Sequence, residues 1–238
     1  MIPYMGSKRN SAGKIYQAIK NMEPEGKILV DLFCGGFAIS EYFYKNGWSI
    51  IANDLNKWVI ALLKKVIFEG LDDKKVLEFV SRDMFINVKN NPDEYDDWYV
   101  GYVQCCWSFG NNQSGFLFGK DVEPYKKAGH ELVINKNPEF IQKLVNIPQK
   151  YIDGILKQDN WHKRRMALNM VTLKLKTRIF ELEQLQRLER LQQLQQLEQL
   201  QLYNDDYKNI EIPQDAIIYC DPPYQDTMEY KESGFDNE

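Results

Sequence analysis

AIIYCDPPYQ, residues 216–225, is an apolar run that halts at an acid, two prolines and a tyrosine. Ala216 to Cys220 is short and rich in Ile and Tyr, the pattern of a strand buried on both faces of a parallel sheet. Neither proline donates to a ladder, and each biases the residue before it toward an extended conformation, so pairing is expected to stop at Asp221. A carboxylate, rigid carbonyls and an aromatic ring then stand at the strand's C-terminal end, the edge where open α/β sheets bind ligands. Taken alone, these residues read equally well as a strand ending in a Pro-Pro turn with a surface tyrosine.

The rest of the chain repeats the pattern. GKILVD, residues 26–31, reads as a strand that runs into LFCGG and then a helical segment, FAISEYFYKNG. WSIIAND is a second strand candidate ending at Asp54, and LNKWVIALLKKVIFEG after it has helical spacing. LQLYNDDY, from Leu200, reads as a further strand ending in acids. Strand, glycine turn, helix and acid-tipped strand form a dinucleotide-type βαβ layout, although the loop is not G-x-G-x-x-G and is a weak fingerprint alone. If the first strand and the 216–220 strand are neighbours, their carboxyl ends bound a crevice. Gly35 and Gly36 would let a ligand approach the backbone there, Asp54 would take ribose hydroxyls, and Asp221 and Tyr224 would face the reacting group.

The 238 residues, 44% hydrophobic and 27% charged, suit one sizeable core with an insertion, or two small domains. No N-terminal apolar run suggests a signal peptide, and no run of ~20 apolar residues suggests a membrane span. Cys34, Cys105, Cys106 and Cys220 lack C-x-x-C spacing, and with only two histidines no metal site is expected. The cysteines read as reduced thiols of a cytoplasmic protein. The net charge of −4 is uneven: residues 120–178 hold 13 Lys/Arg against 6 Asp/Glu, a net of +7, leaving −11 elsewhere. A basic middle in an acidic chain is either a footprint for phosphates or a solvated helical face.

Four divisions are expected: 1–73, 74–178, 179–202 and 203–238. In the second, CCWSFGNNQSGFLFG (105–119) favours a loop or hairpin with adaptable hydrogen bonding, and its Asn111 and Asn112 are candidate DNA contacts. A basic helix is expected from Lys163, with Trp161, Lys163, Arg164 and Arg165 placed to touch a nucleic-acid backbone; a solvated helix start explains them as well. The third division repeats leucine at every third position from Leu182 to Leu200. A heptad alternates three and four, so this is no coiled-coil seam. On an α-helix, steps of three walk backward by about 60° and encircle it. The expectation is a helical scaffold or expandable spacer with some leucines facing water.

Read in order, IPYMGSK, DLFCGG, ANDLN, NDDY and DPPY resemble the Dam-like adenine-N6 DNA methyltransferases, over the whole chain except the leucine repeat. The resemblance implies a Rossmann-like, S-adenosylmethionine-dependent α/β sheet with an inserted, mainly helical target-recognition domain, acting on double-stranded DNA of a bacterial or phage system. It implies that Tyr4, Gly6 and Lys8 line the cofactor pocket, Phe33 and Gly35 flank the methionine part, Asp54 binds ribose, and Asp206 and Tyr207 lie near the cofactor adenine. Neighbouring Asp205 permits another register for that last pair. Asp221, Pro222, Pro223 and Tyr224 would form the catalytic motif. An exocyclic amine is a poor nucleophile because its lone pair is delocalised; acceptors at Asp221 and Pro222 would draw the pair out of conjugation. The base must leave the duplex to reach them, and Tyr224 offers a stacking face.

Two departures stand out. Phe37 follows the glycines where relatives often carry a small residue. The chain also stops at GFDNE, 14 residues past Tyr224, so the 216–220 strand is expected at a sheet edge. The expectation is a truncated enzyme with impaired activity alone, completed by a C-terminal segment or by self-association through the leucine repeat. A methyltransferase on cytosine or RNA, and an inactive fragment that only binds DNA or cofactor, remain the alternatives.

Overall fold

Four short strands build one parallel sheet in the computed structural model, which describes residues 1–71, 74–175, 180–197 and 200–222. They are β1 (Ile28–Asp31), β2 (Ser49–Asn53), β3 (Leu200–Tyr203) and β4 (Ala216–Tyr219), in the order β3-β2-β1-β4. Leu29 and Val30 of β1 are both fully buried although their side chains point to opposite faces, so β1 is a central strand covered on both sides. The registers Asp31↔Ala52, Asp31↔Tyr219 and Asn53↔Tyr203 bring the carboxyl ends of the strands to one edge. The chain leaves β1 toward β2 on one side while β4 pairs on the other, which makes the β1/β4 boundary the switch point of the sheet. Among the described residues β4 pairs only with β1, and it is not the strand buried on both faces that its apolar run predicts: none of its residues is fully buried and Ile218 is 48% exposed, because no strand covers its outer side there.

Ten α-helices accompany this sheet among the described residues. α1 (Ala12–Lys20) and α2 (Ala38–Lys45) are joined by a cluster in which the ring of Tyr16 meets Phe43 edge-on, and Phe43 meets Trp48 the same way. α3 (Lys57–Lys64) begins at Asn56, whose side chain accepts from the backbone N–H groups of Trp58 and Val59, an ordinary N-cap. α4 (Arg82–Asn90) starts at a serine cap, Ser81, and α5 (Asp97–Cys106) lies against α3. A Cβ on Gly101 of α5 would stand 2.2 Å from the Trp58 carbonyl oxygen, so only glycine permits that approach. α6 (Glu123–Ile134), α7 (Glu139–Leu144), α8 (Gln149–Leu156) and α9 (Trp161–Lys174) follow, then α10 (Glu183–Gln192). None is long and apolar enough to cross a membrane. Side chains from the sheet, from α3 to α9 and from the leucine segment form one contiguous apolar cluster.

The leucine segment departs from the expected spacer. Leu182, Leu185, Leu188, Leu191, Leu194 and Leu197 are all at most 2% exposed. The reason is a change of helix type. α10 carries only Leu185, Leu188 and Leu191, which fan over about 120° and stay within one apolar stripe. The segment then tightens into a 3₁₀ turn, Gln193–Gln196, where a step of three is one full turn and keeps Leu194 in line with Leu191. These leucines are therefore part of the core, and their burial leaves no leucine face for self-association among the described residues.

Candidate active site

At the carboxyl edge of the sheet, each acid is held by a different device. Asp31, the last residue of β1, is 1% exposed. Ser40 of α2 donates to its Oδ2 at 2.6 Å, while Oδ1 has no hydrogen-bond partner among the described residues. Burial, with the neighbouring charges of Asp54 and Asp221, pushes this carboxyl up to about 7 against the pull of Ser40 and of the Phe33 backbone N–H. Asp54 follows β2; its Oδ2 accepts from Gly35 N–H at 2.8 Å and its Oδ1 from Asn56 N–H at 2.9 Å. Burial raises the Asp54 carboxyl too, opposed by these two backbone donors. Asp221 follows β4, and its Oδ2 pairs with Lys8 Nζ at 2.7 Å.

The N-terminal segment is strapped onto the glycine loop. Ile2 N–H donates to Gly36 C=O at 3.0 Å, and the Tyr4 ring lies where a Cβ on Gly35 would be, 2.9 Å away. Gly35 has φ +43° and Gly6 φ +72°, both left-handed, and Gly6 is exposed with open space around it. The Phe37 anomaly has a local answer. Phe37 adopts φ +65°, an uncommon conformation for a bulky residue, and its side chain is fully buried in the core beside α2. The left-handed turn is made here by a phenylalanine anchored inside.

Asn53, which lies within the ANDLN motif but had no expected role of its own, fastens the edge. Its Nδ2 donates to the carbonyls of Leu32 at 3.2 Å and Asp205 at 3.0 Å, and its Oδ1 accepts from Asp205 N–H at 3.0 Å. Asn204 Nδ2 donates to Asp54 C=O and Leu55 C=O. Asp205 is thus the clamped residue, whereas Asp206 caps a 3₁₀ turn, Tyr207–Asn209, by accepting from Lys208 N–H. That turn brings the Tyr207 ring to 5.4 Å from Phe33, between centroids.

The structure therefore gathers Tyr4, Lys8, Phe33, Gly35, Asp54, Tyr207 and Asp221 around the switch point, with Pro222 following Asp221. Pro223 and Tyr224 lie outside the described residues. A buried carboxylate with an unpartnered oxygen, a second acid tied by two backbone donors and an aromatic pair suit a ligand that carries a cation, vicinal hydroxyls and a flat ring.

The expected nucleic-acid contacts divide. Arg164 is 5% exposed, and its guanidinium donates to carbonyls of Val133, Ile134, Gln158 and Asp159, so the geometry assigns it to the core, capping the end of α6, and not to a phosphate. Arg165 is engaged with both oxygens of Glu189 on α10, with its side chain 13% exposed. Lys163 is exposed beside Asp159, and Trp161 stacks on His162. Asn111 and Asn112 sit in the hairpin predicted around them, closed by Phe109 N–H to Gly115 C=O and Leu117 N–H to Trp107 C=O. Asn112 Oδ1 accepts from the N–H groups of Ser114 and Gly115, an Asx turn.

A family model for the D12 class N6 adenine-specific DNA methyltransferases matches residues 4–237. The match favours adenine in DNA over the cytosine and RNA alternatives and makes DNA the partner. With a parallel α/β sheet whose acid-tipped strand ends meet at the switch point, the chain belongs to the D12 class N6 adenine-specific DNA methyltransferases, enzymes that generally use S-adenosylmethionine.

Proposed function

We propose that this enzyme methylates the exocyclic amine of an adenine flipped out of duplex DNA, at the β1/β4 crevice. The observation that carries the reading is the placement of Asp221: it follows a strand paired to β1, and its carboxylate meets Lys8 of the N-terminal segment that also covers Gly35. S-adenosylmethionine, when bound, supplies an electrophilic methyl on a sulfonium. Asp54 would take the ribose hydroxyls, Asp206 and Tyr207 would lie near the adenine ring, Phe33 and Gly35 would sit beside the methionine part, and Tyr4, Gly6 and Lys8 would close the pocket. Asp31 joins this set on its unpartnered oxygen, which suits the amino group of the methionine part.

At the reacting centre, Asp221 and the Pro222 carbonyl accept the two hydrogens of the target amine. Both acceptors sit on backbone that proline makes rigid, so their orientation is established before the base arrives. Accepting both hydrogens turns the nitrogen lone pair away from the ring and onto the line of attack. Asp221 is also the nearest base for the proton the nitrogen sheds as the new bond forms. In the resemblance, Pro223 and Tyr224 complete this motif, with Tyr224 stacking on the flipped base. Lys163, Trp161, Asn111 and Asn112 form the proposed DNA face, and residues 74–178 the target-recognition part. A cytoplasmic location fits the four free thiols.

The test is mass spectrometry of nucleosides from unmethylated duplex DNA incubated with the chain and S-adenosylmethionine, with Asp221→Ala in parallel. N6-methyladenine that disappears in the variant supports the assignment; methylation undiminished by Asp221→Ala overturns it.

A further inference from the structure

The hairpin of residues 107–117 is tied down at two places by residues that the catalytic reading does not use. At its root, Arg187 of α10 donates to Cys106 C=O at 2.9 Å and Ser108 C=O at 2.8 Å. Near its tip, Asn56 Nδ2 donates to Gln113 Oε1 at 3.2 Å, and Gln113 N–H donates to Ser108 Oγ at 3.1 Å. At the tip Gly110, Asn111 and Gln113 all have φ +60°, a conformation that only glycine adopts without strain. Asn111 and Gln113 are not glycines, so closing the hairpin tip costs free energy that the Asn56 bond helps to offset. Asn111 Oδ1 is buried with no hydrogen-bond partner among the described residues, a further sign that the tip is not at its own minimum.

Asn56 is also the residue that holds Asp54, through its N–H on Oδ1, while its own Oδ1 is committed to the cap of α3. One residue therefore stands between the acid at the end of β2, which its backbone N–H holds, and the tip of the hairpin, which its side chain reaches. We propose that Asn56 and Gln113 are positioning residues through which cofactor binding at Asp54 favours the closed hairpin and so tightens DNA binding. This rests on Asp54 as the ribose acid and on the hairpin as a DNA contact, both parts of the proposed function. Ligand hydroxyls on Asp54 fix its carboxylate, a fixed carboxylate holds the Asn56 backbone, and Asn56 then presents Nδ2 to Gln113 with less freedom to lose. By linkage, DNA on the hairpin tightens cofactor binding by the same factor.

The test uses the full chain with S-adenosylhomocysteine as an unreactive probe. Hydrogen exchange of the 107–117 amides and fluorescence anisotropy with an unmethylated mixed-sequence duplex are each measured with and without it. In the wild type the probe is expected to slow exchange in the hairpin and to tighten duplex binding about tenfold, within the usual range for coupled sites. Gln113→Ala, which removes the acceptor, is expected to bind the probe alone nearly as before while that factor falls toward one. Gln113→Glu keeps an acceptor for Asn56 and is expected to recover most of the factor, even if its charge weakens duplex binding overall. A wild-type factor retained by Gln113→Ala, or a wild type with no factor, overturns the coupling. Asp54→Ala separates the two layers: probe binding that ignores this change refutes the site itself, whereas probe binding that needs Asp54 but leaves the hairpin unaffected refutes only the coupling.

Discussion

Lys8 Nζ lies 2.7 Å from Asp221 Oδ2, so an ammonium from the N-terminal segment occupies the acceptor that the proposed mechanism reserves for the target amine. The pair is only partly buried, with side chains 31% and 20% exposed, and an ion pair of that kind contributes little to stability, about 0–1 kcal/mol. Its value is electrostatic: Lys8 is a cation beside one of three carboxylates at the strand ends. Lys8→Met is expected to change the melting temperature by no more than a few degrees and to lower kcat/KM about tenfold or more. Thermal unfolding paired with methylation kinetics checks it, and a variant that loses stability and activity in proportion would make Lys8 a structural residue only.

Two glycines separate the pocket from the core. A Cβ on Gly36 would stand 2.8 Å from Ile2 C=O, backbone that can yield only by lifting the N-terminal strap carrying Tyr4 and Lys8. Gly36→Ala is therefore expected to leave a folded protein whose S-adenosylmethionine affinity falls about tenfold or more. On Gly101 the clash is at 2.2 Å with Trp58 C=O, inside the α3/α5 contact, so Gly101→Ala is expected to destabilise the whole chain by about 1–3 kcal/mol. Calorimetric titration and urea unfolding on both variants distinguish the two effects.

The sheet and its edge were legible because each short apolar run closes on an acid, a pattern that marks the strand even where, as in β4, burial on both faces does not follow. That logic located Asp54 and Asp221, and it paired β1 with β4 correctly. It missed Asn53 and Asn56, since a clamp is defined by what it reaches, and Asp205 is 152 residues from Asn53. It placed Arg164 and Arg165 as candidate phosphate contacts because a basic run looks the same whether a guanidinium faces phosphate, the carbonyl end of α6, as Arg164 does, or Glu189 of α10, as Arg165 does. The leucines misled for a different reason: their period of three was read on a uniform α-helix, and nothing local announces the switch to 3₁₀ at Gln193.

Two buried groups pull the pH dependence of stability in opposite directions. Asp31 is raised to about 7, so between about pH 4 and 7 the unfolded chain releases a proton that the folded chain keeps, and stability falls as pH rises. The full penalty, on the order of 4 kcal/mol, applies above about pH 7. Asp31→Asn should therefore gain on the wild type most at alkaline pH, while losing cofactor affinity if Oδ1 serves the ligand. His130 is lowered to about 4 by burial, with Nε2 2.9 Å from Leu77 C=O. Below about pH 6.5 the unfolded chain takes up a proton that the folded chain refuses until about pH 4, so stability falls as pH drops. His130→Gln should gain on the acid side. Urea midpoints of both variants at about pH 5 and about pH 8 test the signs.

The leucine segment gives the sharpest contrast between a spacer and a core element. Leu188 is fully buried, and Leu188→Ala is expected to cost about 2–5 kcal/mol, whereas exposed Gln186→Ala should fall within about 0.5 kcal/mol of the wild type. Arg187→Met would strip a donor from the carbonyls at the end of α5, an expected loss of about 1–3 kcal/mol that also loosens the hairpin root. Deleting one triplet, residues 191–193, is the stricter case. An expandable spacer would shorten without consequence. Here the deletion removes a core leucine, rotates Leu194 and Leu197 by about 60° relative to α10 and pulls on β3, whose register with β2 sets the edge that Asn53 clamps. Urea unfolding of the deletion is expected to show a loss at least as large as Leu188→Ala, and a wild-type midpoint would return the segment to the role of spacer.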